Sequence, residues 1–178
     1  MKKAVAKECT GNAYFNALDL ACYIADKHVT KYGRPISNIK LQKSLYFLFA
    51  YWGGFVNKSK VANKTVEQEL NYKPYLFDNR IEAWTYGPVV VDVFKEFAGY
   101  CNPQRIAQSQ AIIGNEIHVK EFIDDLLDDL LPLSDFRLID LSHKDNCWIN
   151  NYDELEEYHS TEIPKDIIIN EYTAKRAV

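Results

Sequence analysis

The amino-acid sequence predicts a mainly α-helical protein, a single compact helical domain that carries one or two small β-hairpins as a minor sheet. Apolar residues recur at three- and four-residue steps in most of the chain, which is the period of a helix. Alternation of the kind found in strands is confined to two short stretches. The 178 residues, 47% hydrophobic and 26% charged, suffice for one domain with a real core. We expect this domain to span residues 14–172, between tails of residues 1–13 and 173–178.

Two helices are predicted in the first third of the chain. The first ends where Gly33 and Pro35 follow its apolar stripe, and the stripe consists of Tyr14, Leu18, Ala21, Ala25, Val29 and Tyr32. Ser37 or Asn38 can cap the second helix, which we expect to be buried on most sides and to end at Gly53-Gly54. Its core face holds Leu41, Leu45, Leu48, Phe49 and Trp52.

The two stretches with strand character lie in the middle of the chain. The first hairpin is predicted from residues 72–77 and 81–86, with its turn at Asp78-Asn79. Pro88 then suits the first turn of a helix whose inner face runs from Val89 to Phe97. The second hairpin is predicted over residues 112–119, around Gly114-Asn115. Residues 57–69 are polar and predict a surface loop or a weak helix.

Three helices are predicted after residue 119. The first, residues 120–131, is strongly amphipathic and stops at Pro132. Ser134 can cap a short helix that carries Phe136 and Leu138. Pro164 opens the last helix.

Charge is distributed unevenly along the chain. Residues 1–80 carry thirteen Lys and Arg against six Asp and Glu, whereas residues 81–178 carry eight against nineteen, for a net charge of −4. The helical period places four aspartates on the outer face of the helix over residues 120–131: Asp124, Asp125, Asp128 and Asp129. A solvated face is the simplest interpretation, and a surface that docks a protein partner is the alternative. The acidic total disfavours nucleic acid as the main ligand.

The sequence contains no recognisable catalytic, cofactor-binding or metal-binding motif, so we expect no enzyme activity, no cofactor and no metal. His143 and Cys147 could share a helical face, but two ligands do not make a zinc site. Two alternatives remain open, a hydrolase that uses His143 and a nucleic-acid-binding regulator that uses the basic first half. The four cysteines, Cys9, Cys22, Cys101 and Cys147, have no framework spacing and are predicted to be reduced thiols of a cytoplasmic protein.

Three motifs resemble, in the same order, those of the Panacea domain family, also called SocA-like or GepA-like. The first motif consists of Leu41, Gln42, Lys43, Leu45 and Tyr46. The second consists of Glu82, Ala83, Trp84, Tyr86, Gly87, Pro88 and Val89. The third consists of Leu141, Ser142, His143, Lys144 and Trp148. The resemblance spans about residues 14–172.

The resemblance implies both a fold and a function. Members of the family are bacterial, associated with phages and prophages, and act as antitoxins in helical domains with a small sheet. This chain is therefore expected to neutralise a toxin encoded by an adjacent gene through direct protein–protein binding, either by masking it or by presenting it to a protease. An oligomer is compatible with this role, and a membrane is not expected. The motif residues are expected to be mostly structural, and the acidic face is the candidate for partner binding.

Overall fold

The computed structural model describes residues 11–61, 72–153 and 161–175. Within these residues the fold is mainly helical with one small antiparallel sheet, which confirms the predicted fold class. The elements in chain order are α1 (Ala17–Tyr32), α2 (Asn38–Val61), β1 (Ile81–Trp84), β2 (Gly87–Val90), α3 (Val91–Glu96), α4 (Pro103–Gly114), α5 (Ile117–Leu130), α6 (Asp135–Ser142), α7 (Asn146–Ile149), β3 (Thr161–Glu162) and α8 (Lys165–Ala174).

The longest described helix, α2, forms the centre of the core. Ser37 caps it by accepting a hydrogen bond from the Lys40 amide at 3.0 Å, and every residue from 41 to 50 is buried. The predicted end at Gly53-Gly54 is wrong, because α2 continues to Val61. At these glycines α8 lies so close that a Cβ at Gly53 would stand 2.5 Å from Ile169 Cγ1. The glycines therefore do not end α2, but allow α8 to pack closely against it.

The first predicted hairpin has different partners from those expected. β1 pairs antiparallel with β2 across the turn Thr85-Tyr86, and β3 pairs with the other side of β1, in the order β2-β1-β3. Residues 75–76 instead bond to residues 12–15, with the Phe15 amide donating to the Leu76 carbonyl at 2.8 Å. Pro88 lies in β2, so the predicted helix starts at Val91 instead.

The second predicted hairpin is wrong, because its residues form the end of α4 and the beginning of α5. Asn102 caps α4 by accepting from the Arg105 amide at 2.8 Å, and Pro103 occupies the first turn. Asn102 and Pro103 are a helix-start signal. The buried Ser109 and Ile113 stand four residues apart on the inner face of α4. In the sequence, Ile112-Ile113 resembles part of a strand because the rest of this face of α4 is polar.

The prediction of reduced thiols is wrong for Cys22 and Cys101, which form a disulfide between α1 and the segment before α4. Their Cα atoms lie 5.7 Å apart although 79 residues separate them in sequence. No sequence spacing reveals such a pair, because the packing of α4 beside α1 brings the two residues together. Cys147 is free and buried, and Cys9 lies outside the described residues.

Structured residues lie near both expected ends of the domain. Ala13 is completely buried and bridges Tyr75, and α8 ends at Ala174. Ser134 caps α6 as expected, but Phe136 is 80% exposed. In the part of the chain that the structure describes, no helix is both long enough and apolar enough to cross a membrane.

Candidate functional site

The three sequence motifs meet at one place, where α2, the β1–β2 hairpin and the α6–α7 region come together. We call this place the motif junction and define it by Gln42, Lys43, Gly87, Ser142 and His143. Gln42, Lys43, Gly87 and Ser142 are buried, and His143 is half-buried. Motifs separated by about 40 to 100 residues in sequence therefore build one packed unit.

Gln42 and Lys43 occupy the free edge of β2. The Gln42 side-chain oxygen accepts a hydrogen bond from the Val90 amide at 2.8 Å. The Lys43 amine donates to the Pro88 carbonyl at 2.7 Å. These are the backbone groups that a further strand would otherwise pair with, and Pro88 itself offers no amide hydrogen. The first motif thus closes the edge of the strand that the second motif forms.

Lys43 is a buried amine, 1% exposed, and no carboxylate of the described residues forms an ion pair with it. Burial lowers its pKa from 10.5 to about 7. At neutral pH the amine is therefore close to half-protonated, whereas an exposed lysine is fully charged. Burial, and then the nearby charge of Lys43, lowers the pKa of His143 as well.

Gly87 makes room for this arrangement. A Cβ at Gly87 would stand 2.5 Å from Ser142 Oγ and 3.0 Å from both Cε and Nζ of Lys43. The backbone also has a φ of +93°, which L-residues with a Cβ rarely adopt. Ser142 donates to the Ile139 carbonyl at 2.9 Å and faces this glycine from α6. The motif junction therefore requires glycine for two independent reasons.

The third motif braces the β1–β2 turn from the side. The His143 ring lies flat on Trp148, with centroids 4.0 Å apart and an interplanar angle of 7°, and Trp148 in turn stacks on Tyr152. Trp148 donates to the Trp84 carbonyl at 3.0 Å. The turn is thus held rigidly by side chains from outside the sheet.

The turn itself presents aromatic side chains to solvent. Tyr86 at its tip is 63% exposed, and Phe94 on α3 is 43% exposed. Phe94 contacts the half-buried Trp84 edge to face, with centroids 4.7 Å apart. We call this surface the aromatic turn, defined by Trp84, Tyr86 and Phe94. Tyr86 was expected in the second strand of the first hairpin, but it lies in the turn beyond the end of β1.

The remaining motif residues divide by burial. Glu82 is buried, and its carboxylate accepts from Trp84 Nε1 at 2.9 Å and pairs with Arg80 at 2.8 Å. Leu141 is half-buried, and Lys144 is exposed. The other motif side chains are core residues, namely Leu41, Leu45, Tyr46, Ala83, Pro88 and Val89.

Sequence reasoning missed a second polar cluster under α7, centred on Asp145. Its buried carboxylate accepts from the hydroxyls of Tyr46 and Tyr172, at 2.5 and 2.7 Å, and from the Lys175 amine at 2.5 Å. Glu171 accepts from the amides at the start of α7. No local signal marks Asp145, because its two tyrosine partners stand 99 and 27 residues away in sequence.

The acidic face predicted on α5 divides into two pairs. Asp124 accepts from Tyr23 at 2.7 Å, Lys27 at 3.0 Å and Lys120 at 2.6 Å. Asp128 pairs with Lys31 at 3.1 Å. These two aspartates connect α5 to α1, and their basic partners lower the pKa of both. Asp125 and Asp129 are exposed, and no ion pair to either is found among the described residues.

The chemistry that a nucleophile or metal would need is not assembled in the described residues. Cys147 Sγ lies 3.2 Å from the Tyr46 hydroxyl, and burial raises the pKa of the thiol to about 12, which disfavours a reactive thiolate. The His143 ring is stacked on Trp148, and burial lowers its pKa. Within the described ranges, no group of three or more His, Cys, Asp and Glu side chains could hold a metal ion.

Comparison with known families agrees with the resemblance seen in the motifs. Residues 68–149 match the family model described as "Antitoxin SocA-like, Panacea domain". The matched range contains the second and third motifs and the elements from β1 to α7. The match confirms the resemblance to the Panacea family over these residues. Neither a curated protein nor a solved structure was found that matches the chain.

Proposed function

We propose that this protein, whose central residues match an antitoxin SocA-like domain, is the antitoxin of a toxin–antitoxin pair and neutralises a protein toxin from an adjacent gene by direct binding. The family match carries the proposal. The contacts of Gln42 and Lys43 with the edge of β2 support a structural role for the first motif. We place the protein in the cytoplasm with its toxin, and neutralisation by masking or by delivery to a protease both remain consistent with such binding.

The aromatic turn is the surface that we propose contacts the toxin. Aromatic side chains contribute most to binding energy when they are rigid before association, because little side-chain entropy is then lost. Trp84 is held by its indole hydrogen bond to Glu82 and by Phe94, and the backbone on either side of Tyr86 is fixed by Trp148 and Lys43. This surface therefore combines exposed aromatic area with a rigid base.

Co-expression tests the function and the surface together. The adjacent gene product should arrest growth alone, and the wild-type protein should restore it and co-purify with the toxin. The double variant Tyr86→Ala with Phe94→Ala should lose rescue and weaken binding by about 1,000-fold, as expected for two hot-spot side chains that contribute about 2 kcal/mol each. Phe136→Ala, which removes another exposed aromatic from α6, is the matched control and should rescue fully. A harmless neighbour, or a toxin that the wild-type protein does not relieve, would reject the antitoxin role.

The acidic face is a second candidate for toxin contact, and the structure shows how to test it. Neutralising all four aspartates would disturb the fold, because Asp124 and Asp128 bind α1. The informative variant is Asp125→Asn with Asp129→Asn, which should lower the association rate and its salt dependence if this face steers the toxin. Asp124→Asn is the comparison that reports the loss of internal contacts. An unchanged association rate in the double variant would mean that the exposed pair is simply solvated.

A further inference from the structure

The disulfide between Cys22 and Cys101 joins a core helix to a peripheral one. Cys22 lies on the buried side of α1 and is 4% exposed. Cys101 is half-buried and directly precedes Asn102, the residue that caps α4. In α4 only Ser109 and Ile113 are fully buried. The disulfide therefore fastens the beginning of a helix that has little apolar anchorage of its own.

Polar contacts also hold α4 to α1. Arg105 forms an ion pair with Asp19 at 2.6 Å, and Gln110 donates to Asp26 at 2.8 Å. Gln110 is exposed and Arg105 is half-buried, so water competes with these contacts and weakens them. The ion pair of Arg105 is such a contact at the start of α4.

The segment before α4 gives a reagent access to one of the two sulfurs. Residues 98–100 are exposed, and Tyr100 is 74% exposed. The half-buried Cys101 belongs to this segment, whereas Cys22 is covered. Disulfides with an accessible sulfur are the ones that exchange with other thiols and disulfides, whereas fully buried ones resist. Because Cys101 is the more exposed of the two, it is the attacking thiol, and Cys22 is the resolving thiol.

We propose that Cys22 and Cys101 are a redox-active pair that reacts reversibly with low-molecular-weight disulfides and so tethers or releases the start of α4. The Cys101 thiolate attacks such a disulfide, forms a mixed disulfide and releases one thiolate. The Cys22 thiolate then attacks the Cys101 sulfur, closes the internal disulfide and releases the second thiolate. The protein loses two electrons and its two thiol protons, and the reagent is reduced to two thiols. A reducing thiol reverses both steps.

The test uses the full chain with Cys9→Ser, so that mass counting of alkylated thiols reports the other three cysteines. In glutathione buffers of graded poise, the disulfide should open under reducing conditions and re-form under oxidising ones. Hydrogen exchange of residues 97–113 should be at least about tenfold faster in the reduced protein, while the buried residues of α2 stay protected. Cys101→Ala should behave like the reduced protein in every buffer.

Any of three results would overturn the proposal. A pair that stays oxidised across the whole buffer range is a permanent structural cross-link, and a pair that stays reduced is no tether. Equal exchange of residues 97–113 in the two forms would show that the bond does not hold α4. The comparison of oxidised with reduced protein needs no substitution at Cys22 or Cys101, so it remains decisive if Cys101→Ala fails to fold. None of these measurements involves a toxin, so they are independent of the antitoxin role.

Discussion

Replacing Gly87 with alanine is the sharpest test of the motif junction. The new Cβ would meet Ser142 Oγ at 2.5 Å and the end of the Lys43 side chain at 3.0 Å. The residue would also have to keep a φ of +93°. We expect the protein to fold but to lose a substantial part of its stability, because both neighbours are buried and hydrogen-bonded.

The magnitude follows from two separate costs. A positive φ costs an alanine about 1–2 kcal/mol relative to glycine. Overpacking at a buried site adds about 1–3 kcal/mol. The free energy of unfolding should therefore fall by roughly 2–5 kcal/mol. For a chain of this length that corresponds to a decrease in Tm of about 4–20 °C.

Gly99→Ala is the matched control, because Gly99 has a similar φ of +87° and a Cβ added there would meet no atom within 4 Å. It carries only the backbone cost, so chemical denaturation should show a loss smaller than that of Gly87→Ala by about 1–3 kcal/mol. Adding Ser142→Ala to Gly87→Ala removes the closest clash and should restore part of the difference, which a double-mutant cycle measures. Equal losses in the two glycine variants, or no coupling to Ser142, would refute the packing of the junction described above.

Two further predictions concern buried polar groups. The free energy of unfolding of Lys43→Met, relative to wild type, should be about 2 kcal/mol higher at pH 7.5 than at pH 9.5. The lysine pKa is about 7 in the folded protein but near 10.5 in the unfolded chain, so wild-type stability rises with pH across that window. Urea unfolding at both pH values measures this difference. Asp145→Asn should lower the free energy of unfolding by about 2–4 kcal/mol. The reason is that the Tyr46 and Tyr172 hydroxyls lose the charged oxygen to which both donate. Thermal and urea unfolding measure the loss.

Each of these predictions has a contrary outcome. If the difference between Lys43→Met and wild type is the same at both pH values, Lys43 keeps an ordinary pKa in the folded state. Asp129→Asn, on the exposed side of α5, is the control for the loss of a carboxylate and should change stability by less than about 0.5 kcal/mol. If Asp145→Asn costs no more than this control, the buried carboxylate does not hold α7 and α8 together.

The sequence identifies the residues of the candidate site, but it does not show how they are arranged in space. The motif residues were expected to be mostly structural, and most of them are buried in the structure. That Lys43 would close the edge of β2 at Pro88 could not be foreseen, because Pro88 was expected in a helix. Similarly, Gly53-Gly54 has the composition of a helix end, and only α8 packed against it shows why α2 continues.

The helical class, the caps of α2 and α6, and the resemblance to the Panacea family follow from the sequence alone, because they depend on the spacing of apolar residues and on short motifs. Packing between distant elements sets the partner of β1, the disulfide between Cys22 and Cys101, and the division of the acidic face into a pair that contacts α1 and a pair that points to solvent. Local patterns report which face of an element is apolar. They contain no information about which distant element covers that face, and it is that choice which brings distant side chains within bonding distance.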